Sequence, residues 1–195
     1  MNRREALQRF SILIGGTLLG ADSLLAKNID WENFDSLSSR KGIGIFSKAQ
    51  IKLLNEIAET IIPTTTTPGA KAAKTGEFMA LIVSDCYDAD RQQRFMEGLQ
   101  KLDEGCMKMN GKSFMKCKAE ARHDFLVQLD KEQKLMPKPK RNSNEYGHYF
   151  RVIKDLVLWG YFSSEIGSTQ ALRYVAVPGS YKNIDYKKGD KAWAT

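Results

Sequence analysis

Histidine is the scarcest chemistry-bearing residue in this chain of 195: there are two, His123 and His148. A proline-containing loop separates them, and no ligand pair falls at the short spacing of a zinc site. Cys86, Cys106 and Cys117 form an odd set with no CxxC and no CxxCH. That excludes covalent haem attachment within the chain and argues against an iron–sulfur cluster. Two arrangements stay open for the thiols: one internal disulfide plus a free cysteine, or three buried thiols acting as small apolar side chains. Glycine-rich phosphate cradles are missing, and adjacent carboxylates such as Asp103-Glu104 diverge on a helix. His123-Asp124 suits a surface or partly buried histidine, and His148 can pair with Glu145 one turn earlier. No residue is assigned as catalytic, cofactor-binding or metal-binding.

A second shortage is of long apolar runs. The most apolar stretch, Phe10 to Ala21, is interrupted by Gly15-Gly16 and closed by Asp22. A membrane-spanning helix needs about 20 predominantly apolar residues. Preceded by the basic Met1 to Arg9 and followed by Leu24-Leu25-Ala26, the run instead predicts a signal peptide over 1–26. Arg3-Arg4 ahead of a glycine-containing, moderately apolar stretch points to the twin-arginine route, which carries folded cargo; an ordinary secretory signal is the other reading. The expected location is the periplasm, with attachment to the membrane through a complex or through an uncleaved signal.

The net charge of +7 is spread along the chain among interleaved acidic residues. The basic cluster Lys134 to Arg141 holds two prolines and suits a solvated loop, not the single basic face of a nucleic-acid binder. Past the signal, about 170 residues suffice for one domain with a real core.

Hydrophobic periodicity predicts an all-α fold of five to six helices. An extended arm is expected over 27–45, a helical domain over 46–181 and a polar tail over 182–195. Ser47 with Gln50 makes a capping box, followed by Ile51, Leu54, Ile57, Ala58 and Ile61 on one face, with Glu56 and Glu59 pointing away. Ile62-Pro63 ends that helix, and Thr64 to Gly69 forms a turn-rich loop. A second helix spans Thr75 to Tyr87, with Phe78, Leu81, Ile82 and then Cys86 inward. Asp90 with Gln93 caps a third, whose stripe is Phe95, Leu99, Leu102 and Cys106, and which Asn110-Gly111 stops. The fourth runs from Lys116 to Glu132 with Ala121, Phe125, Leu126 and Leu129 inward. A fifth begins near Ser143 or Asn144 and reaches Trp159, with Tyr149, Val152, Ile153, Leu156 and Trp159 as its apolar face. Thr169 to Tyr174 is a last short helix. No stretch alternates with period two, so no substantial sheet is expected.

Aromatic residues in a short polar turn stand out. Trp159, Tyr161 and Phe162 precede Ser163-Ser164-Glu165. Large rings beside adaptable polar groups suit a partner-docking surface, with Trp159, Tyr161, Phe162, Ser164 and Glu165 as its candidates. The competing reading is a buried corner, with Trp159 and Phe162 in the core and Ser164 capping the next segment. Met107, Met109, Met115 and Phe114 suit core or groove filling.

Four passages in order resemble the gluconate 2-dehydrogenase subunit 3 family. They are Phe46 to Gly69 with its Ala58-Glu59-Thr60-Ile61-Ile62-Pro63 helix end and the Pro68-Gly69-Ala70 that follows; Phe95 to Leu99 with Leu102-Asp103; Gly160 to Gly167; and Tyr174 to Gly179. With the twin-arginine start they cover nearly the whole chain. The resemblance implies a small helical subunit of a periplasmic, membrane-associated dehydrogenase. Its partner would be a large FAD-containing subunit of the glucose–methanol–choline oxidoreductase type, and a cytochrome c subunit often passes electrons onward in such complexes. The small subunit would supply the export signal at the twin-arginine translocon and aid maturation of the flavoprotein. No catalytic motif is carried over. The lysine-rich end and the cysteines match nothing in the family pattern. A free periplasmic binding or scaffold protein without a dehydrogenase partner is the alternative.

Overall fold

Ser47 opens the first helix by its capping box. In the computed structural model, its hydroxyl accepts the Gln50 amide and the Gln50 side chain accepts the Ser47 amide at 2.8 Å. The structure describes residues 42–137, 147–177, 179, 185 and 187–194. The signal peptide with Arg3 and Arg4, most of the arm, and the expected start of the fifth helix lie outside the described residues.

Among the described residues five α-helices carry the fold: α1 (Lys48–Ile61), α2 (Thr75–Cys86), α3 (Ala89–Asn110), α4 (Ala119–Leu135) and α5 (Tyr149–Ser163). A 3-10 turn, Phe114–Lys116, precedes α4, and a π turn, Gly167–Ala171, follows α5. The all-α expectation holds; the sheet among the described residues is one parallel pair, β1 (Arg173–Tyr174) with β2 (Trp193–Ala194). None of the described helices is long and apolar enough to cross a membrane.

The two helices with well-spaced polar residues match their sequence patterns. Ile51, Leu54, Ile57 and Ala58 of α1 are buried, as are Phe95, Leu99, Leu102 and Cys106 of α3. Gly111, in the left-handed conformation (φ 69°), ends α3 and donates its amide to Met107. The cap at the other end is Asp88, whose carboxylate accepts the Arg91 amide at 2.9 Å; the expected cap, Asp90, sits inside the helix and pairs with Arg94.

α2 and α5 turn differently from expectation. In α2 the buried side chains are Thr75, Met79, Ala80 and Val83, while Leu81 and Cys86 face solvent. In α5 the buried set is Phe150, Ile153, Leu156, Val157, Gly160 and Tyr161, and Val152 and Trp159 are exposed. α5 touches all four other helices, and the side it leaves to solvent is itself largely apolar, carrying Val152, Leu158, Trp159 and Phe162 around Asp155, so charge does not mark it. Its closest approach is at Gly160, where a Cβ would stand 2.6 Å from the Phe78 ring and 3.1 Å from Thr75. Each fully buried Leu, Ile or Phe in such a core contributes about 1.5–3 kcal/mol.

The 3-10 turn explains why α4 starts three residues later than expected. Phe114 is fully buried and its amide bonds to Asp103 at 2.7 Å. Arg122 then donates to the carbonyls of Phe114 (2.9 Å) and Met115 (2.8 Å), occupying groups a longer helix would use internally. Met107 and Met109, expected as filling, are exposed. Farther along α4, Asp130 bridges to Lys134 at 2.7 Å and to Lys154 of α5. The Lys134 and Lys154 ammonium groups hold its carboxyl well below the usual carboxylate range.

Candidate docking site

The five docking candidates separate into two groups because of where α5 ends. Trp159 and Phe162 lie three residues apart on its outer side, so their rings emerge together, 55% and 40% exposed. Tyr161 points the other way and is buried. Its phenol donates to the Pro68 carbonyl at 2.8 Å, fastening the threonine-rich loop to α5. Ser164 turns the chain: its hydroxyl donates to the Tyr161 carbonyl (2.6 Å) and accepts the Gly167 amide (3.0 Å). Ser164 therefore caps the helical segment that starts at Glu165 and runs into the π turn, as the buried-corner reading expected, while Trp159 and Phe162 take the exposed positions that reading denied them. Glu165 is exposed beside them.

Instead of a last short helix, the chain forms the π turn and then β1. The polar tail returns to pair with it: the Arg173 amide donates to the Ala192 carbonyl at 2.8 Å, and Lys191 reaches the Gln170 carbonyl. This return brings Trp193 into the same cleft as Trp159. A cleft of about 660 Å³ results, walled by Trp159, Phe162, Leu172, Tyr174 and Trp193. Glu165, Ser163, Ser168 and Thr169 supply its polar atoms. Four of the rings on its walls are 40% exposed or more.

The walls are braced from behind. Trp159 meets Phe78 edge to face at 5.2 Å, Phe162 meets Tyr161 in the same way at 5.2 Å, and the Arg173 guanidinium lies 4.9 Å from the Trp193 ring centre. Such ring contacts fix the orientation of side chains whose other faces are wet. The cleft is thus a preformed apolar surface with a few hydroxyls and one carboxylate. It can bury a partner's side chains, with the hydroxyls pairing to whatever polar groups arrive.

Trp193 was not legible as a site residue, although a lone tryptophan in a lysine-rich tail is a signal worth weighing. Two glutamates expected to point to solvent were also misjudged. Glu56 pairs with Arg122 at 2.7 Å and with Lys71, both its own and the arginine side chain being largely buried. The hydrogen bond from Lys71, with Arg122 close by, holds the Glu56 carboxyl below its usual value. Glu59 accepts the Thr64 amide and hydroxyl and the Lys71 amide at 2.8–2.9 Å, shaping the loop from Thr64 to Lys71. Burial pushes its carboxyl up, but those hydrogen bonds outweigh it and leave it lowered.

The histidines and cysteines lie outside the cleft. His148 caps α5, its Nδ1 accepting the Phe150 amide at 3.2 Å while its ring stacks on Tyr149. His123 is exposed beside Asp124. Cys86 is exposed, contrary to the three-buried-thiols alternative, whereas Cys106 and Cys117 are buried with their sulfurs 3.5 Å apart. Among the described residues no group of three or more His, Cys, Asp or Glu side chains is placed to hold a metal ion.

The family model described as gluconate 2-dehydrogenase subunit 3 matches residues 48–179, from the start of α1 to a point just beyond β1. No curated protein and no solved structure matches the chain.

Proposed function

Because the chain belongs to the gluconate 2-dehydrogenase subunit 3 family, we propose that it is a non-catalytic accessory subunit that docks a large FAD-containing dehydrogenase subunit through the aromatic cleft. The observation that carries this reading is the cleft itself. Trp159, Phe162, Tyr174 and Trp193 leave a braced set of rings open to solvent within or just beyond the family-matched region. Exposed aromatic clusters beside polar groups are where binding energy concentrates in protein interfaces. The commitment of His148, Glu56, Glu59 and Asp130 to structural contacts supports a scaffold role in place of a reaction centre.

In this reading the partner is of the glucose–methanol–choline oxidoreductase type and holds the flavin. A cytochrome c subunit accepts its electrons, and gluconate or a related sugar is oxidised on the large subunit. Arg3 and Arg4 direct both proteins through the twin-arginine translocon, the flavoprotein crossing to the periplasm as a folded passenger.

The test is an affinity pull-down of the tagged full-length chain from its native host, with an absorbance spectrum of the eluate. A large copurifying protein with flavin bands near ~370 and ~450 nm supports the reading, since that absorbance belongs to the cofactor. A colourless chain without a partner under gentle extraction would overturn it and favour a free periplasmic scaffold. Replacing Arg3 and Arg4 by Lys should leave both proteins in the cytoplasm; normal export of that variant would remove the twin-arginine part of the proposal.

A further inference from the structure

Two thiols that the docking role does not use lie side by side in the core. Cys106 is in the last turns of α3 and is fully buried; Cys117 follows the 3-10 turn and is 8% exposed. Their sulfurs are 3.5 Å apart, in direct contact, and the two residues are eleven positions apart in sequence. A disulfide needs about 2.0 Å between sulfurs, so side-chain rotation has only a short gap to close. Asn110 and the Lys112 carbonyl flank the pair at 3.6 and 3.5 Å. Cys86 is on the surface at the end of α2.

We propose that Cys106 and Cys117 are a dithiol pair that closes to an intrachain disulfide when the chain meets a disulfide-bearing oxidant, locking the corner between α3 and α4. Two S–H bonds break and one S–S bond forms. The two electrons and two protons pass to the oxidant's disulfide, which leaves as two thiols. Cys117 is the entry point, because it alone of the two has exposed surface. Its thiolate attacks the oxidant and forms a mixed disulfide, releasing one thiol. Cys106 then attacks the Cys117 sulfur; the departing thiolate takes up the proton that Cys106 gives. Burial holds the Cys106 thiol up at about 11, so this second step is the slower one near neutral pH and quickens as pH rises.

The bond matters because of what stands on that corner. The turn between the two cysteines carries Phe114, a fully buried core side chain, and presents the carbonyls that Arg122 grips while it pairs with Glu56 of α1. In the reduced chain this turn is held by the hydrogen bond from the Phe114 amide to the Asp103 carboxylate, by the Arg122 guanidinium and by packing. The disulfide would make that attachment covalent. A chain folded as a dithiol in a reducing compartment would thereby stiffen on reaching an oxidising one.

The experiment uses the full chain carrying Cys86→Ser, incubated with oxidised glutathione, then unfolded, alkylated and weighed. Closure predicts a mass about 2 Da below the reduced chain and no alkylation. Lys108, Lys112 and Lys116 fall between the cysteines, so trypsin must yield Leu102–Lys108 joined to Cys117–Lys118 and separable only by reductant. The oxidised form should melt about 5–10 °C above the reduced one. Alkylation of both cysteines after oxidant treatment, or a stable glutathione adduct on Cys117 that Cys106 never resolves, would overturn the proposal. Because this variant retains both partners of the pair, its outcome does not depend on whether Cys106→Ser or Cys117→Ser folds. It is also independent of the docking proposal, since no partner is present.

Discussion

Arg122 and Glu56, 66 positions apart in sequence, meet at 2.7 Å in a largely buried ion pair that joins α4 to α1. The same guanidinium holds two carbonyls of the 3-10 turn and lies 5.5 Å from the Phe114 ring centre. Removing it strands two carbonyls and a carboxylate that keeps only Lys71. Arg122→Ala should therefore lower stability by about 2–4 kcal/mol, between the value of an exposed pair and that of a fully buried one. Arg122→Lys should recover less than half, because an ammonium cannot span both carbonyls and the carboxylate. Urea unfolding of the three chains measures this, and equal midpoints would refute it.

Gly160 permits the contact of α5 with α2. Gly160→Ala puts a methyl 2.6 Å from the Phe78 ring and should cost about 1–3 kcal/mol despite alanine's better helix propensity. Phe78→Leu in the same chain should relieve part of that loss. The non-additivity of the pair in a double-mutant cycle is the readout.

His148 gives the fold an acid limb. Burial, ahead of the opposing influence of Glu132, lowers its pKa from 6.5, and the neutral Nδ1 caps α5. A depressed folded pKa means the contribution is complete above the unfolded value and is lost as pH falls through the folded one. Stability should thus decline once pH drops below 6.5. The Glu56 and Asp130 contributions, also from lowered values, disappear only in the range below ordinary carboxylate titration. His148→Asn keeps a cap without a titration and should flatten the curve between pH 7 and about 5. Thermal melts across that window decide it.

The cleft makes a separable prediction. Phe162→Ser and Trp193→Ser each remove an exposed ring from the wall, so melting should shift little while capture of the flavoprotein falls at least about tenfold, as for interface hot spots. Tyr161→Phe should do the reverse: it loses the bond to Pro68 and about 1 kcal/mol of stability, with capture retained. A uniform loss of capture in all three variants would point to unfolding and not to a docking face.

What could be read in advance followed from where polar residues interrupt the apolar ones. Lys48 and Lys52 mark the outer side of α1, and the charges among Phe95, Leu99 and Leu102 do the same for α3, so those faces were legible. Phe78 to Val83 is an unbroken apolar run, and α5 carries large side chains in every direction; periodicity has nothing to grip there. That uncertainty fell on the site itself, because Trp159, Tyr161 and Phe162 all lie at the end of α5.

The sequence alone determined the all-α class, the capping box at Ser47 and the stop at Gly111, since each depends on neighbours within a few positions, and the order of the family motifs, which is read along the chain without any contact. Tertiary structure decided which rings of the α5 end face solvent, that Trp193 returns from the tail to complete the cleft, and that Cys106 meets Cys117. It also turned Glu56 and Glu59 from surface charges into anchors. These outcomes depend on contacts between separate elements or across loops, from Glu59 with Lys71 to Glu56 with Arg122. Burial and low local dielectric arise only when those segments pack, so no local pattern of residues encodes them.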